Sequence, residues 1–397
     1  MNILQISPQV PLPLDDGGKI GIYNITKHLA LRGHKIDFVT YLKHSNYDKA
    51  YYELSKICNP FILEVKTDNS LWGAAKNLIS NIPYNISKYH SEALRLFLIK
   101  YFRENSVDVV HIDHLHMAWV VKILRELTLA PVVLREHNLE MRIMERFAEN
   151  QKNSLLKKYA KMQYRRFIKY EPEMCSQFNA CVMISENDER LLIKLKKNIN
   201  TFVIPAGVER EFLDVPKKKE ISYSLFHIGS LLWQPNLDGL NWYLDEVFPF
   251  LIKKIPNVKL YVYGKGSNKI RLANNLIKNV EIVGYVENIW NEIADKQLAI
   301  VPLRIGGGIR IKIIELMALG KNIITTSIGK EGIDVKDGQH ILIADNAEEF
   351  INKTIKFLNS EYDAAGLSTN SRILIQEKYT WNKIAEEFEN VYRTFVN

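Results

Sequence analysis

Short runs rich in β-branched residues alternate with longer amphipathic stretches along the whole chain. "NILQIS" (Asn2 to Ser7) opens as a buried strand. A helix follows from about Ile20 to Arg32, with Gly33 as its stop, and "KIDFVTYL" is the second strand. "VDVVHID" (107–113), "PVVLREH" (131–137), "ACVMIS" (180–185) and "TFVIP" (201–205) read as further strands separated by helical stretches. After a polar stretch at Glu209 to Ser222 the pattern restarts with "SLFHIG" (224–229) and a helix from Asn236 to Ile255, for which Asn236 is the expected N-cap. "VKLYVYG" (258–264), "VEIVGYV" (280–286), "LAIVPL" (298–303), "NIITT" (322–326) and "HILIA" (340–344) are its later strands. Strands alternating with helices imply parallel sheets covered on both faces. The chain therefore reads as two doubly wound, Rossmann-like α/β domains facing across a cleft, 1–205 and 206–380. A terminal helix (381–397) packs elsewhere than on its own domain.

Composition changes this picture little, but charge does. The formal net charge is +8, and residues 1–205 carry 29 Lys+Arg against 21 Asp+Glu, while 206–397 carry 24 of each. The whole excess lies in the first half, which suggests an anionic partner there. No run of about twenty apolar residues is present, and the N-terminus lacks a signal-peptide pattern. Three cysteines, Cys58, Cys175 and Cys181, show no metal or redox spacing. With the absent leader they point to a reducing cytoplasm.

Ligands of doubly wound sheets bind beyond the C-terminal strand ends. In the first domain Gly17 and Gly18 stand between strand and helix, either as an anion loop or as a turn that needs glycine. His137 follows a central strand, as an acid, base or hydroxyl partner or as half of a capping "HN" pair. His111, His114 and His116 raise a metal site, but the strand-to-loop change scatters their directions. Lys152 to Tyr170 holds seven Lys+Arg and no acid at amphipathic spacing, the signature of a helix that lies on an anionic membrane surface rather than of a solvated face. Nucleic acid is disfavoured, since no base-reading motif is present.

In the second domain four strand ends converge on one chemistry: Gly229 and Ser230, Gly264, Glu287 and Asn288, and then "GGGIRIKIIELMALG" (Gly306 to Gly320). Gly306, Gly307 and Gly308 expose backbone N–H groups before a helix. Arg310 and Lys312 add cations where the helix dipole already disfavours them. Together these suit a diphosphate. Glu315, one and a half turns on, is placed to accept paired ribose hydroxyls.

"GSLLWQPN" (Gly229 to Asn236) and "GGGIRIKIIELMALG" resemble the donor domain of family 4 glycosyltransferases of GT-B fold, in a bacterial subgroup. "ISENDE", "VIPAGVE", the Gly17–Gly18 loop and the final "YTWNKIAEEFENVYRTF" also match that pattern. The resemblance implies a metal-independent transfer from a nucleoside diphosphate sugar with retained anomeric configuration, by same-face attack in which the departing phosphate takes the acceptor proton. It implies an acceptor-binding first domain, a donor-binding second domain and a last helix crossing back to the first. It places Gly17 and Gly18 near the donor phosphates, His137 near the transferred sugar, Arg310 and Lys312 on the diphosphate and Glu315 on the ribose. Two positions depart from the family: Gly307 stands where most members have a sugar-contacting glutamate, and Ala206 replaces the usual Asn. The backbone N–H groups of Gly306 to Gly308 then take over sugar recognition.

The sequence thus leads to a cytoplasmic glycosyltransferase, peripheral on the inner face of the plasma membrane, that builds a surface polysaccharide or glycolipid on a lipid-linked or oligosaccharide acceptor, with no cofactor and no nucleic-acid partner. A nucleotide-sugar epimerase and a non-catalytic nucleotide-sugar-binding partner are the other readings.

Overall fold

A computed structural model describes residues 1–397 except 15, 43–45, 152, 217, 307 and 397, and the backbone alone at 150. Gly307 and Lys152 therefore lie outside the described residues. The chain divides into two compact units. One comprises Met1–Ala206 with Trp381–Asn397, the other Gly207–Thr380.

The first unit carries seven strands: β1 (Asn2–Ser7), β2 (Lys35–Leu42), β3 (Asn59–Glu64), β4 (Val109–Asp113), β5 (Val132–Glu136), β6 (Ala180–Met183) and β7 (Thr201–Val203). They form one parallel sheet in the order β3-β2-β1-β4-β5-β6-β7. The second unit carries β8 (Ser224–Ile228), β9 (Lys259–Tyr263), β10 (Val280–Gly284), β11 (Leu298–Val301), β12 (Asn322–Thr325) and β13 (Leu342–Ile343), in the order β10-β9-β8-β11-β12-β13. The central strands are buried on both faces: β1, β4, β5 and β8 read as near-continuous apolar runs because helices cover each side. In each sheet the chain reverses its direction of winding once, between β1 and β4 and between β8 and β11. At such a reversal the flanking connections diverge to opposite faces and leave a crevice at the C-terminal strand ends.

Four local features differ from the sequence expectation. The first helix spans Gly17–Leu31, three residues earlier than read, because the Asp16 carboxylate caps it by accepting from the Lys19 N–H at 2.9 Å. Gly17 and Gly18 thus sit in the first helical turn rather than in a loop. β3 had no counterpart in the pattern: Pro60 interrupts it, which only an edge strand tolerates, and β3 is the edge. Asn236 is not a cap; the helix Gln234–Trp242 starts before it, with Pro235 in its first turn. That helix passes through a π turn at Tyr243–Val247 into Phe248–Lys254, where Pro249 supplies no N–H to the ladder.

The last helix, Trp381–Phe395, belongs to the first unit. Its Trp381, Ile384, Phe388 and Tyr392 are buried. Its Glu389 pairs with Arg32 at 2.7 Å, and the Tyr392 hydroxyl meets His111 Nδ1 at 2.5 Å. Among the described residues no helix is long and apolar enough to cross a membrane.

Candidate active site

In the second unit the reversal between β8 and β11 gathers Lys312, Asn236, Gly229 and Arg310. The helix Ile311–Ala318 begins at Arg310, whose backbone is extended and whose guanidinium lies 5.4 Å over the Trp233 ring. Gly306 makes room for it: at φ +129°, a Cβ there would stand 2.4 Å from Arg310 Nη2. Lys312, second in the helix, crosses to the end of β8. Its Nζ donates to the Ile228 carbonyl at 2.9 Å and to Asn236 Oδ1 at 3.0 Å. Asn236 is oriented in turn by donating from Nδ2 to the Ser230 carbonyl at 3.0 Å. An ammonium has three N–H bonds, so this geometry fixes two and leaves one.

Burial, and then the nearby Arg310, lower the Lys312 pKa to about 7. Burial alone raises Glu315 to about 7. Its carboxyl has no hydrogen-bond partner among the described residues. His227, on β8, is fully buried; burial and then Lys312 lower its pKa to about 3, so it stands neutral beside the cation.

The glycines at neighbouring strand ends serve close backbone approach. Gly264, at φ +142°, faces the Gly229 carbonyl so tightly that a Cβ would lie 2.0 Å from that oxygen. Gly229 and Gly264 therefore stack β8 and β9 ends beneath the Lys312 anchor. Glu287 and Asn288 are both exposed, and Asn288 caps the short helix Ile289–Ile293. Gly308 lies at φ +78°, in a turn open only to glycine and a few polar residues.

In the first unit the reversal between β1 and β4 carries the histidines. Asp113, fully buried at the end of β4, accepts from Gln5 Nε2 at 2.7 Å and lies 3.3 Å from both His111 Nε2 and His137 Nε2. Burial would raise its pKa, but His111 and His137 outweigh it and hold the carboxylate well below its ordinary value. Arg135 Nη1 reaches His137 Nε2 at 3.0 Å. Arg135 can only donate and the Asp113 carboxylate, 3.3 Å from the same Nε2, can only accept, so the two neighbours favour opposite tautomers of the ring. Burial and the Arg135 charge lower the His137 pKa to about 4. It is a neutral imidazole at pH 7, suited to hydrogen bonding rather than to delivering a proton.

The three histidines of "HIDHLH" diverge. His111 turns to Tyr392, His116 to Glu140 at 3.9 Å, and His114 stacks on His137 with ring centroids 3.6 Å apart. His114 has φ +67° and a buried Nε2 without a hydrogen-bond partner among the described residues. That atom stands 3.5 Å from where a Gly18 Cβ would be. Gly18, His114 and His137 thus share one strand-end crevice.

Asp113, Arg135, His227 and Asn236 were missed as site partners from sequence. The motif "GSLLWQPN" contained the signal for Asn236, which reads as a helix cap until Lys312 is seen to reach it.

Two family descriptions match the chain: "Glycosyltransferase Family 4" over residues 16–212 and "Glycosyl transferases group 1" over residues 222–360. The family matches and the fold define a glycosyltransferase of the two-domain GT-B type. The chain belongs to glycosyltransferase family 4, whose description covers most of its first unit, while the group 1 description covers most of its second. It is similar, at 24% identity over 98% of this chain and 99% of the relative, to an uncharacterized 44.6 kDa protein in the cps region of Klebsiella pneumoniae. It is 23% identical, over 57% of this chain and 46% of the relative, to the poly(ribitol-phosphate) alpha-N-acetylglucosaminyltransferase of Staphylococcus aureus. Its fold matches the crystal structure of Anabaena HepE in complex with UDP, with a TM-score of 0.65 and 14% identity over 99% of this chain and all of that one.

Proposed function

We propose that the protein moves a sugar from a nucleoside diphosphate sugar to a saccharide or lipid-linked acceptor in the synthesis of a surface polysaccharide or glycolipid, with retained anomeric configuration and without a metal. The observation that carries this reading is Lys312: an ammonium anchored by two acceptors, at the N-terminus of a helix and at a topological reversal, with one donor left. The leaving diphosphate gains charge as the glycosidic bond breaks. Lys312, the helix N–H groups and Arg310 meet that charge with donors already in place, so no reorganisation is needed at the moment of reaction. Cations fixed in this way do the charge neutralisation that a metal would otherwise do. Glu315 receives the ribose hydroxyls.

In the first unit His137 offers its Nδ1, and His114 its unpartnered Nε2, to sugar hydroxyls, with Gly17 and Gly18 leaving the backbone bare beside them. A neutral His137 is a poor proton donor, which fits a reaction in which the departing phosphate takes the acceptor proton. The relatives support the donor and acceptor classes: one is named for transfer of N-acetylglucosamine to poly(ribitol-phosphate), and one fold neighbour holds UDP. The exposed cations of the Lys152–Tyr170 region bring the enzyme to an anionic membrane surface that carries its acceptor.

The decisive experiment is turnover and donor affinity for Arg310→Ala and Lys312→Ala. A loss of roughly 10²-fold or more in kcat/KM is expected for Lys312→Ala, the size seen when one preorganised donor to a developing anion is removed. Full turnover with unchanged donor affinity in both variants overturns the diphosphate assignment. Donor incubated without acceptor serves as the control, since appearance of an isomerised nucleotide sugar marks an epimerase instead. A thermal-shift screen across UDP-, GDP- and ADP-sugars identifies the base, because a ligand bound to the native state raises its melting temperature.

A further inference from the structure

The helix Leu71–Asn77 turns its apolar residues the wrong way. Leu71 is 92% exposed, Trp72 79% and, just past the helix, Ile79 96%, with Leu78 about half exposed. Looseness does not explain this, because the segment is clipped down at both ends. At its start, Ser70 caps the helix, and the Tyr84 hydroxyl accepts from the Ser70 N–H at 2.7 Å and donates to its carbonyl at 3.1 Å. At its end, Asn77 is buried and accepts at Oδ1 from Gln163 at 3.0 Å and from Arg166 at 2.7 Å. Arg166 also donates to the Asn77 and Leu78 carbonyls, each at 2.8 Å. Thus Arg166 is a C-terminal clip that fastens the apolar segment to the long helix Ser154–Cys175.

That long helix buries Ala160, Phe167 and Glu171. Lys158, Lys161, Arg165 and Lys169 recur at spacings of three and four on the opposite, exposed face and make no ion pair among the described residues. Leu155, in its first turn, is 75% exposed. Neither residues 69–91 nor residues 153–170 contain an acid. A rigid apolar ridge with a tryptophan, fastened to a helix that bears an unpaired cationic stripe, with no acid in either segment, is complementary to one kind of surface: an apolar interior under anionic headgroups.

We propose that Leu71, Trp72, Leu78 and Ile79 insert into the interface of an anionic lipid bilayer while Lys158, Lys161, Arg165 and Lys169 lie on its headgroups. This rests on the membrane-facing reading of the cationic helix and adds the element that penetrates. The two parts make different demands. The cations supply a salt-sensitive attraction, whereas the apolar ridge supplies retention that survives salt.

The test is co-sedimentation of the full chain with vesicles of phosphatidylcholine alone or with about one-third phosphatidylglycerol, at low and high salt. The native protein is expected to bind the anionic vesicles and to keep a bound fraction at high salt. Trp72→Ser/Ile79→Ser is expected to abolish the salt-resistant fraction, at least a tenfold loss. Lys158→Gln/Lys161→Gln/Arg165→Gln/Lys169→Gln is expected to abolish binding at low salt. All these positions are exposed, so an unchanged melting temperature and unchanged nucleotide-sugar affinity show that each variant is folded. If the ridge variant binds like the native protein while the stripe variant does not, insertion is overturned and the cationic reading stands. If the native protein binds neither vesicle, both fall. If light scattering shows a dimer that Trp72→Ser/Ile79→Ser dissociates, with no vesicle binding by either, the ridge is a self-association surface and the proposal is overturned.

Discussion

At the scale of single residues, Lys312 and Glu315 are the revealing pair, because burial moves both toward neutrality from opposite sides. Each has a pKa of about 7. A diphosphate beside Lys312 favours the ammonium and raises its pKa, so above pH 7 binding takes up a proton and affinity falls as pH rises. Ribose hydroxyls donating to Glu315 favour the carboxylate and lower its pKa, so below pH 7 binding releases a proton and affinity falls as pH drops. Donor affinity is therefore expected to peak near pH 7 and to decline on both limbs. Calorimetric titration between about pH 5.5 and 8.5, in buffers of different ionisation enthalpy, reads the proton uptake directly. Lys312→Arg should flatten the alkaline limb, because a guanidinium does not lose its proton there. An alkaline limb that persists in that variant assigns it to another group.

At the scale of elements, the site depends on strand ends that approach closer than side chains permit. Gly264→Ala places a Cβ 2.0 Å from the Gly229 carbonyl in a backbone conformation that alanine resists. A loss of roughly 1–3 kcal/mol in urea unfolding is expected from the overpacking alone. An unchanged midpoint would show that β8 and β9 separate freely. Elements of this kind were legible in the sequence where burial was two-sided. The central strands β1, β4, β5 and β8 announce themselves as apolar runs, and their strand-end residues followed from the rule that ligands bind there. β3 was illegible because an edge strand carries Pro60 and only part of a buried face. The π turn at Tyr243–Val247 was illegible because 3.6-residue periodicity runs through it unchanged. Asn236 was misread for a different reason. A polar residue before an apolar run looks like a cap, and only the tertiary meeting with Lys312, 76 residues away, reveals what its side chain does. Arg135 and Asp113 were hidden in the same way, inside strands whose pattern says only that they are covered.

At the scale of the whole molecule, the two units are not two consecutive halves of the chain. Residues 207–380 form one unit, and the other needs both the first 206 residues and the last helix. Trp381, Ile384, Phe388 and Tyr392 complete a core that the preceding sequence leaves open. A chain ending at Thr380 loses all four, leaves His111 Nδ1 without its Tyr392 partner and exposes Phe388's place over Arg135. Large-to-small losses of single buried aromatics already cost about 3–5 kcal/mol, so this chain is expected to aggregate or to lose its near-ultraviolet dichroism. Retention of a native-like signal would show that the first unit closes without its last helix.

The strand entry and exit of the second unit lie side by side, with the Val208 N–H donating to the Tyr379 carbonyl at 2.7 Å and Val208 bridging to Thr380. That pairing has a consequence for biosynthesis. Domains ordinarily fold in the order in which they leave the ribosome. Here the inserted unit can finish first, and its closure brings residue 380 back beside residue 208, handing the tail to a partner made long before. The first unit remains open until its last helix has been made, so a nascent chain carries an unfinished core while residues 207–380 are synthesised. Termination just before the codons of the helix Trp381–Phe395 yields a polypeptide that quality control should recognise as incomplete, although every proposed site residue has been made.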